Sequence, residues 1–388
     1  MQTGQTIQLR GITWNHTRGY LPMVATAQRF AETHPGVEII WEKRSLQAFA
    51  DRDITELAQQ YDLLVIDHPW AGYAAARGIL LPLQDHLPAE FLQDQAGNSV
   101  GASYASYNFS GYQCALAIDA AAPVAAYRTD LLAKAEVNVP QTWDELLDLA
   151  RKGWVAFPGI PIDTLMNFYM LCSTHGQDPF VNDEWVVTES LGVQALEQLR
   201  ELASLVTREI LGWNPIAVYE ALSGRDDLAY CPFAYGYSNY ARSGYGKHRL
   251  VFDDMVTIGP HGRCRTTLGG TGLAISSACR PADLAVEYAR FVASPECQRT
   301  LYVESGGQPG HRSAWLNDVA NQATGNYFRK TLPALDRAYL RPRYTGYLHF
   351  QDHAGDFVRD YMMDGGDPKA VLAQLARLYR ESKGYIPT

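Results

Sequence analysis

Residues 37–66 read VEIIWEKRSLQAFADRDITELAQQYDLLVI. The run VEIIW at 37–41 and the run YDLLVI at 61–66 are short, apolar and rich in branched side chains. Such runs suit strands buried in a sheet, and residues 49–60 between them are expected to be helical. Working outward, residues 7–13 form another strand-like run. Residues 21–33 place Val24, Ala27 and Phe30 on one helical face, and His34, Pro35 and Gly36 stop that helix. The order strand, helix, strand, helix, strand implies right-handed crossovers and a parallel sheet. A sheet of this kind binds ligands beyond the carboxyl ends of its strands.

Two loops fall at that edge. The first strand leads into Thr13, Trp14, Asn15, His16, Thr17, Arg18, Gly19 and Tyr20, and the third into Asp67, His68, Pro69, Trp70, Ala71, Gly72 and Tyr73. Each supplies a Trp, a His, a further charged residue and a Gly–Tyr pair or its near equivalent. One such residue would be unremarkable as a cap or packing group. Two similar sets at one edge point to a binding surface.

The chain has 388 residues, long enough for two lobes. Lys plus Arg number 33 and Asp plus Glu 42, a formal charge of −9. That balance argues against a nucleic-acid partner and against docking on an anionic membrane. No run of about 20 apolar residues is present, so no membrane insertion is expected. Met1 is followed by polar residues without a basic or apolar leader region. The expectation is a periplasmic protein in which Met1 replaces the leader, or a cytoplasmic one if Met1 is the native start. Cysteines stand at 114, 172, 231, 264, 279 and 297, with no CxxC spacing, and read as buried thiols.

Further along, residues 114–127 are extended and apolar around a lone Asp119. Thr142, with Glu145 three positions on, predicts a capping box opening a helix over 143–151. Helices are expected over 164–173, 190–207, 281–293, 295–306 and 368–383, with a helical region over 328–364. Residues 227–240 (DLAYCPFAYGYSNY) read as a strand running into an aromatic turn, and 268–275 (LGGTGLAI) as a glycine turn into a strand.

In this order the signals resemble family 1 of the bacterial extracellular solute-binding proteins, the receptors of carbohydrate ABC importers typified by maltose-binding protein. The carrying segments are Tyr61 to Asp67 with the following Gly78, Ile79, Leu80, Leu81, Pro82 and Leu83; Tyr127 to Leu132 with Pro140, Gln141, Thr142, Trp143, Asp144, Glu145 and Leu146; Leu268 to Ser276 with the later Ser294, Pro295 and Glu296; and Gly310 to Trp315. The resemblance implies an α/β, two-lobed periplasmic-binding-protein-like fold of type II. Each lobe would be a sheet flanked by helices, joined by a multi-strand hinge, with ligand caught between them. The implied N-terminal lobe is 1–118 with 268–312, and the C-terminal lobe 119–267 with 313–388. The implied ligand contacts are Trp14, Asn15, His16, Arg18, Asp67, His68, Trp70, Asp119, Asn167, Phe233, Tyr235, Tyr237, Gly270, Thr271, Tyr347 and His349. The implied partners are a small-molecule ligand and the permease subunits of an importer. The receptor would be a monomer, with no cofactor and no catalysis.

Carboxylates and guanidinium groups make charge-assisted hydrogen bonds to sugar hydroxyls, and flat aromatics cover the C–H faces of a sugar ring. Arg18, with His16 and His68, also offers a fork for a carboxylate or sulfonate, which favours a sugar acid or similar anion over a neutral oligosaccharide. The enzyme alternative is a metal-dependent hydrolase using His16, Asp67 and His68, with His349 and His353 four apart on a helix. Neither HExxH nor a Gly-rich loop ending in Lys-Ser/Thr is present. Gly101 to Ala105 only approaches a nucleophile elbow, and Asp67 with Asp119 is the one carboxylate pair available to a glycosidase. A cytoplasmic ligand sensor of the same fold is the remaining alternative.

Overall fold

The structure, a computed structural model, describes residues 6–46 and 53–385. Its strands are β1 (Ile7–Trp14), β2 (Val37–Arg44), β3 (Leu63–Ile66), β4 (Asn108–Phe109), β5 (Tyr112–Gln113), β6 (Leu116–Ala121), β7 (Pro123–Tyr127), β8 (Tyr230–Tyr235), β9 (Val251–Asp253) and β10 (Gly269–Ile275). The chain forms two compact units, one from Met1–Ala121 with Gly269–Gln322, the other from Ala122–Leu268 with Ala323–Thr388.

The first unit is built on a five-stranded sheet in the order β2-β1-β3-β10-β6. β1 runs parallel to both β2 and β3, as the alternation of strand and helix signals requires. β10 is antiparallel to β3 and to β6, so β6 points the same way as β1 to β3. The helix Thr17–Thr33 covers one face through Met23, Ala27 and Phe30, which join Leu9, Trp41, Leu63, Val65 and Ile275 in one buried cluster. Tyr288 enters this cluster because its hydroxyl is satisfied: it lies 2.9 Å from Thr26 Oγ1 and accepts the Trp41 indole N–H at 3.1 Å. The helix expected over 49–60 is found as Ile54–Gln60, and 49–52 lie outside the described residues.

The second unit holds the three-stranded sheet β8-β7-β9. Its long helices include Pro161–Thr174, Glu189–Ser204, Tyr347–Asp364 and Pro368–Lys383. Pro161–Thr174 is buried at every position from Asp163 to Thr174, and it crosses Tyr347–Asp364 at a point of close backbone approach. A Cβ on Gly355 would stand 2.5 Å from the Pro161 carbonyl oxygen, so only glycine fits there. The capping box is formed: Thr142 Oγ1 accepts the Glu145 N–H at 3.3 Å, and Glu145 Oε2 accepts the Thr142 N–H at 3.2 Å.

Three local readings change. The extended stretch 114–127 is two strands, because β6 pairs with β10 while β7 pairs with β8 and β9. Residues 101–111, whose Gly, Ser and Tyr content reads as a loop or irregular strand, hold a helical turn, Ser103–Ser106, and the short first strand of the β4–β5 hairpin. The helical region 328–364 is two helices, Tyr327–Asp336 and Tyr347–Asp364.

Removing the Thr142 cap leaves helix N–H groups without their acceptor. Thr142→Ala is expected to lower stability by about 1 kcal/mol, read as a lower urea midpoint at unchanged slope. An unaltered midpoint would show that the cap contributes nothing.

Candidate functional site

Because β1, β3 and β6 run the same way and β10 runs opposite, four segments meet at one edge of the first unit's sheet. They are the turn after β1, the turn after β3, the end of β6 and the start of β10. Thr271 stands opposite Asp119, and Gly272 opposite Ile66.

The turn after β1 is held from within. His16 caps the helix Thr17–Thr33, its Nδ1 accepting the Arg18 N–H at 3.0 Å. Burial, and then the positive charge of Arg18, pull the His16 imidazole down to about 4, so it keeps the lone pair the cap needs. Thr13 Oγ1 donates to the Gly19 carbonyl at 3.0 Å. Gly19 lies against the Trp14 indole so closely that a Cβ would enter the ring. The ring centroid of Trp14 is 6.0 Å from the Arg18 guanidinium carbon.

Arg18 is the centre of the edge. Its side chain is 4% exposed and reaches Asp119, which is fully buried. Nε donates to Asp119 Oδ2 at 2.8 Å, and Nη2 donates to Oδ1. Burial pushes the Asp119 carboxyl upward, while Arg18 and the backbone N–H of Gln308 draw it back. The fork that the sequence offers to a ligand anion is therefore turned onto a carboxylate of the same unit, and the ground for favouring an anionic ligand is removed. Gln308 fastens the next stretch of chain to β6: its carbonyl accepts the Ala120 N–H at 2.9 Å, and its Nε2 donates to the Ala120 carbonyl at 2.8 Å. Gly270 closes the other side. At φ +98° its missing Cβ leaves room for the Asp119 carbonyl oxygen.

At the turn after β3, Asp67 Oδ1 accepts the His68 N–H at 2.8 Å and also lies 3.1 Å from the His68 Nδ1. The Asp67 side chain is 27% exposed, whereas the His68 ring is fully buried and edge-on to Tyr107. The Tyr107 hydroxyl bridges the carbonyls of Ile66 and Gly270 at 3.2 and 3.4 Å, tying the end of β3 to the start of β10. Trp70 is nearly buried, edge-on to Tyr73. Asn15 is exposed. The buried hydroxyl of Thr271 has no hydrogen-bond partner among the described residues. Burying a hydroxyl unpaired costs about 1–3 kcal/mol, so this group is poised for one.

In the second unit the predicted residues have varied surroundings. Phe233 is a core ring, stacked 6.5 Å from Trp143 and tilted against Phe157. Tyr347 is fully buried among Phe180, Tyr344 and Phe350. Tyr237 is buried against Tyr219. Tyr235 is half-buried with its hydroxyl 3.1 Å from Thr267 Oγ1, and Asn167 Nδ2 donates to the Pro158 carbonyl at 3.5 Å. His349 stacks on Tyr385 at 4.0 Å and lies 4.6 Å from the His353 ring.

Among the described residues no group of three or more His, Cys, Asp or Glu is placed to hold a metal ion. All six cysteines are free and buried, and burial pushes Cys264, Cys279 and Cys297 up to about 12. No helix among the described residues is long and apolar enough to cross a membrane. Tyr107 and Gln308, which fasten the edge, were not singled out from sequence; a Tyr in a Gly/Ser/Tyr-rich stretch and a lone Gln carry no periodic signal.

The family model described as "Bacterial extracellular solute-binding protein" matches residues 13–299. The chain belongs to that family. No curated protein sequence matches this solute-binding protein significantly. Its fold is shared with solved structures at low identity. The maltose-bound MalE3 of T. maritima is 18% identical with a TM-score of 0.84, over 96% of this chain and 99% of that one. An ABC transporter solute-binding protein of Agrobacterium radiobacter K84 in complex with ribitol is 18% identical with a TM-score of 0.81, over 97% and 99%. One from Thermotoga lettingae bound with α-D-tagatose is 17% identical with a TM-score of 0.81, over 97% and 100%.

Breaking a buried pair from one side strands a charge. Arg18→Met or Asp119→Leu alone is expected to cost about 3–5 kcal/mol, and the double variant to recover most of that loss. Additive losses in denaturant titrations would contradict a mutually dependent pair.

Proposed function

We propose that this solute-binding protein is the receptor of an ABC importer and that it captures a neutral polyhydroxylated solute, a sugar or sugar alcohol, and releases it unchanged. The carrying observation is the commitment of Arg18 to Asp119. With that fork engaged, the polar groups at the first unit's edge include Asp67, Asn15 and the unpaired Thr271 hydroxyl. A carboxylate accepts hydrogen bonds from solute hydroxyls and repels an anion, so the set favours hydroxyls over acids. Trp70, three positions on from Asp67, is the proposed aromatic neighbour. The solved relatives that hold maltose, ribitol and tagatose support the solute class. The reading places the protein outside the cytoplasm, as a monomer that presents its loaded form to permease subunits. It assigns no bond-breaking chemistry, in keeping with a family of solute-binding proteins.

A thermal-shift panel of ribitol, tagatose, maltose, gluconate and a sulfonate tests this. A solute at about 100 times its Kd adds about 2.7 kcal/mol of stability. At least one neutral polyol or sugar is expected to raise the melting temperature and to be recovered intact. Stabilisation by the acids alone, or turnover of the solute, would overturn the reading. Asp67→Asn is expected to weaken binding about tenfold or more with little change in the unliganded melting temperature, by loss of a charge-assisted hydrogen bond.

A further inference from the structure

Asp163 sits in the first turn of the helix Pro161–Thr174, four positions before Asn167. It is 6% exposed, and its Oδ2 has no hydrogen-bond partner among the described residues. From Asp163 to Thr174 the helix is buried, while Pro161 and Ile162 just before it are half-buried. The backbone of this turn is pressed against Gly355 of the helix Tyr347–Asp364. One ionisable group lies within electrostatic reach of it. Burial pushes the Cys231 thiol on β8 up, and an Asp163 charge would push it the same way. The Arg359 guanidinium is engaged with carbonyls, its Nε on Gly159 at 3.1 Å and its Nη2 on Leu211 at 2.9 Å. Neighbouring polar groups are likewise engaged with backbone: Thr164 Oγ1 donates to the Ile160 carbonyl, and Asn167 Nδ2 to that of Pro158.

Two effects compete over the charge. The helix N-terminus favours a carboxylate by about 0.3–1 kcal/mol, reaching about 2 in buried settings. Withdrawing an ion from water without a counter-charge costs several times that, on the order of several kcal/mol. Burial therefore wins, and the group is held as the neutral acid.

We propose that Asp163 is a proton-operated latch in the second unit: with the proton on its carboxyl the first turn of Pro161–Thr174 stays packed, and when the proton leaves that turn opens to water. The latch does not depend on which solute the protein carries. Burial pushes Asp163 from the ordinary 3.8 up to about 8. Between those values the folded protein binds one proton more than the unfolded chain. Unfolding is thus favoured about tenfold per pH unit by this group as pH rises, and the dependence ends above about 8. His16 acts in the opposite sense between about 4 and its ordinary 6.5, so only comparison with a variant isolates the latch.

The test is amide hydrogen exchange of the peptide spanning the start of this helix, at about pH 6 and about pH 9, corrected for the intrinsic exchange rate, in the full chain and in Asp163→Asn. The wild type is expected to lose protection there roughly a hundredfold at the higher pH, two units of the tenfold dependence, and the variant to keep it at both. Equal protection at both pH values in the wild type, or the same loss in the variant, would overturn the proposal. If Asp163→Asn does not fold, infrared spectra of the wild type decide. A protonated-carboxyl band present at the lower pH and gone at the higher one supports the latch, and its absence at the lower pH contradicts it.

Discussion

A guanidinium and a carboxylate, both withdrawn from water, organise the first unit. Arg18 comes from the turn after β1 and Asp119 from near the end of β6, 101 positions apart. Either group alone in that interior would carry a desolvation cost of several kcal/mol; together, with two hydrogen bonds between fork and carboxylate, they offset most of it. The pair is thus better understood as a device for uniqueness than as a source of net stability. It fixes where the β1 turn lies relative to β6, and the position of Asp67, Asn15 and Thr271 at the shared edge follows.

This arrangement bears on which solutes suit the protein. An arginine at a sheet edge invites the assumption of an anion site. Here the same arginine is neutralised within the unit, and His16 is kept uncharged by burial beside it. The edge also presents a half-exposed carboxylate, a carboxamide and a hydroxyl. Those are the groups that recognise many weak dipoles on a polyhydroxylated molecule rather than one strong charge. A formal charge of −9 on the whole chain further disfavours attraction of anions over distance.

The sequence carried the local and periodic parts of the fold well. The first three strands and the helix Thr17–Thr33 were legible because burial on one or both faces imposes a pattern within a few residues. The Thr142–Glu145 box was legible because both partners lie within one helical turn. The family resemblance rested on such segments too, and the family match extends over most of them. Long-range pairing was not legible. Arg18 and Asp119 were both noticed, yet nothing local says that they face one another. Phe233 and Tyr347 present the same alternation whether a ring meets a solute or another ring, and the structure gives them Trp143 and Phe350 as neighbours. Asp163 was missed because an acid in the first turn of a helix is ordinary; only its burial makes it unusual.

The most direct measurement of this account is a crystal structure of the protein with the sugar or sugar alcohol that stabilises it most. The account predicts solute hydroxyls donating to Asp67, a hydrogen bond to the Thr271 hydroxyl, and Arg18 still paired with Asp119. A solute oxygen seated on Arg18 with Asp119 displaced would contradict it.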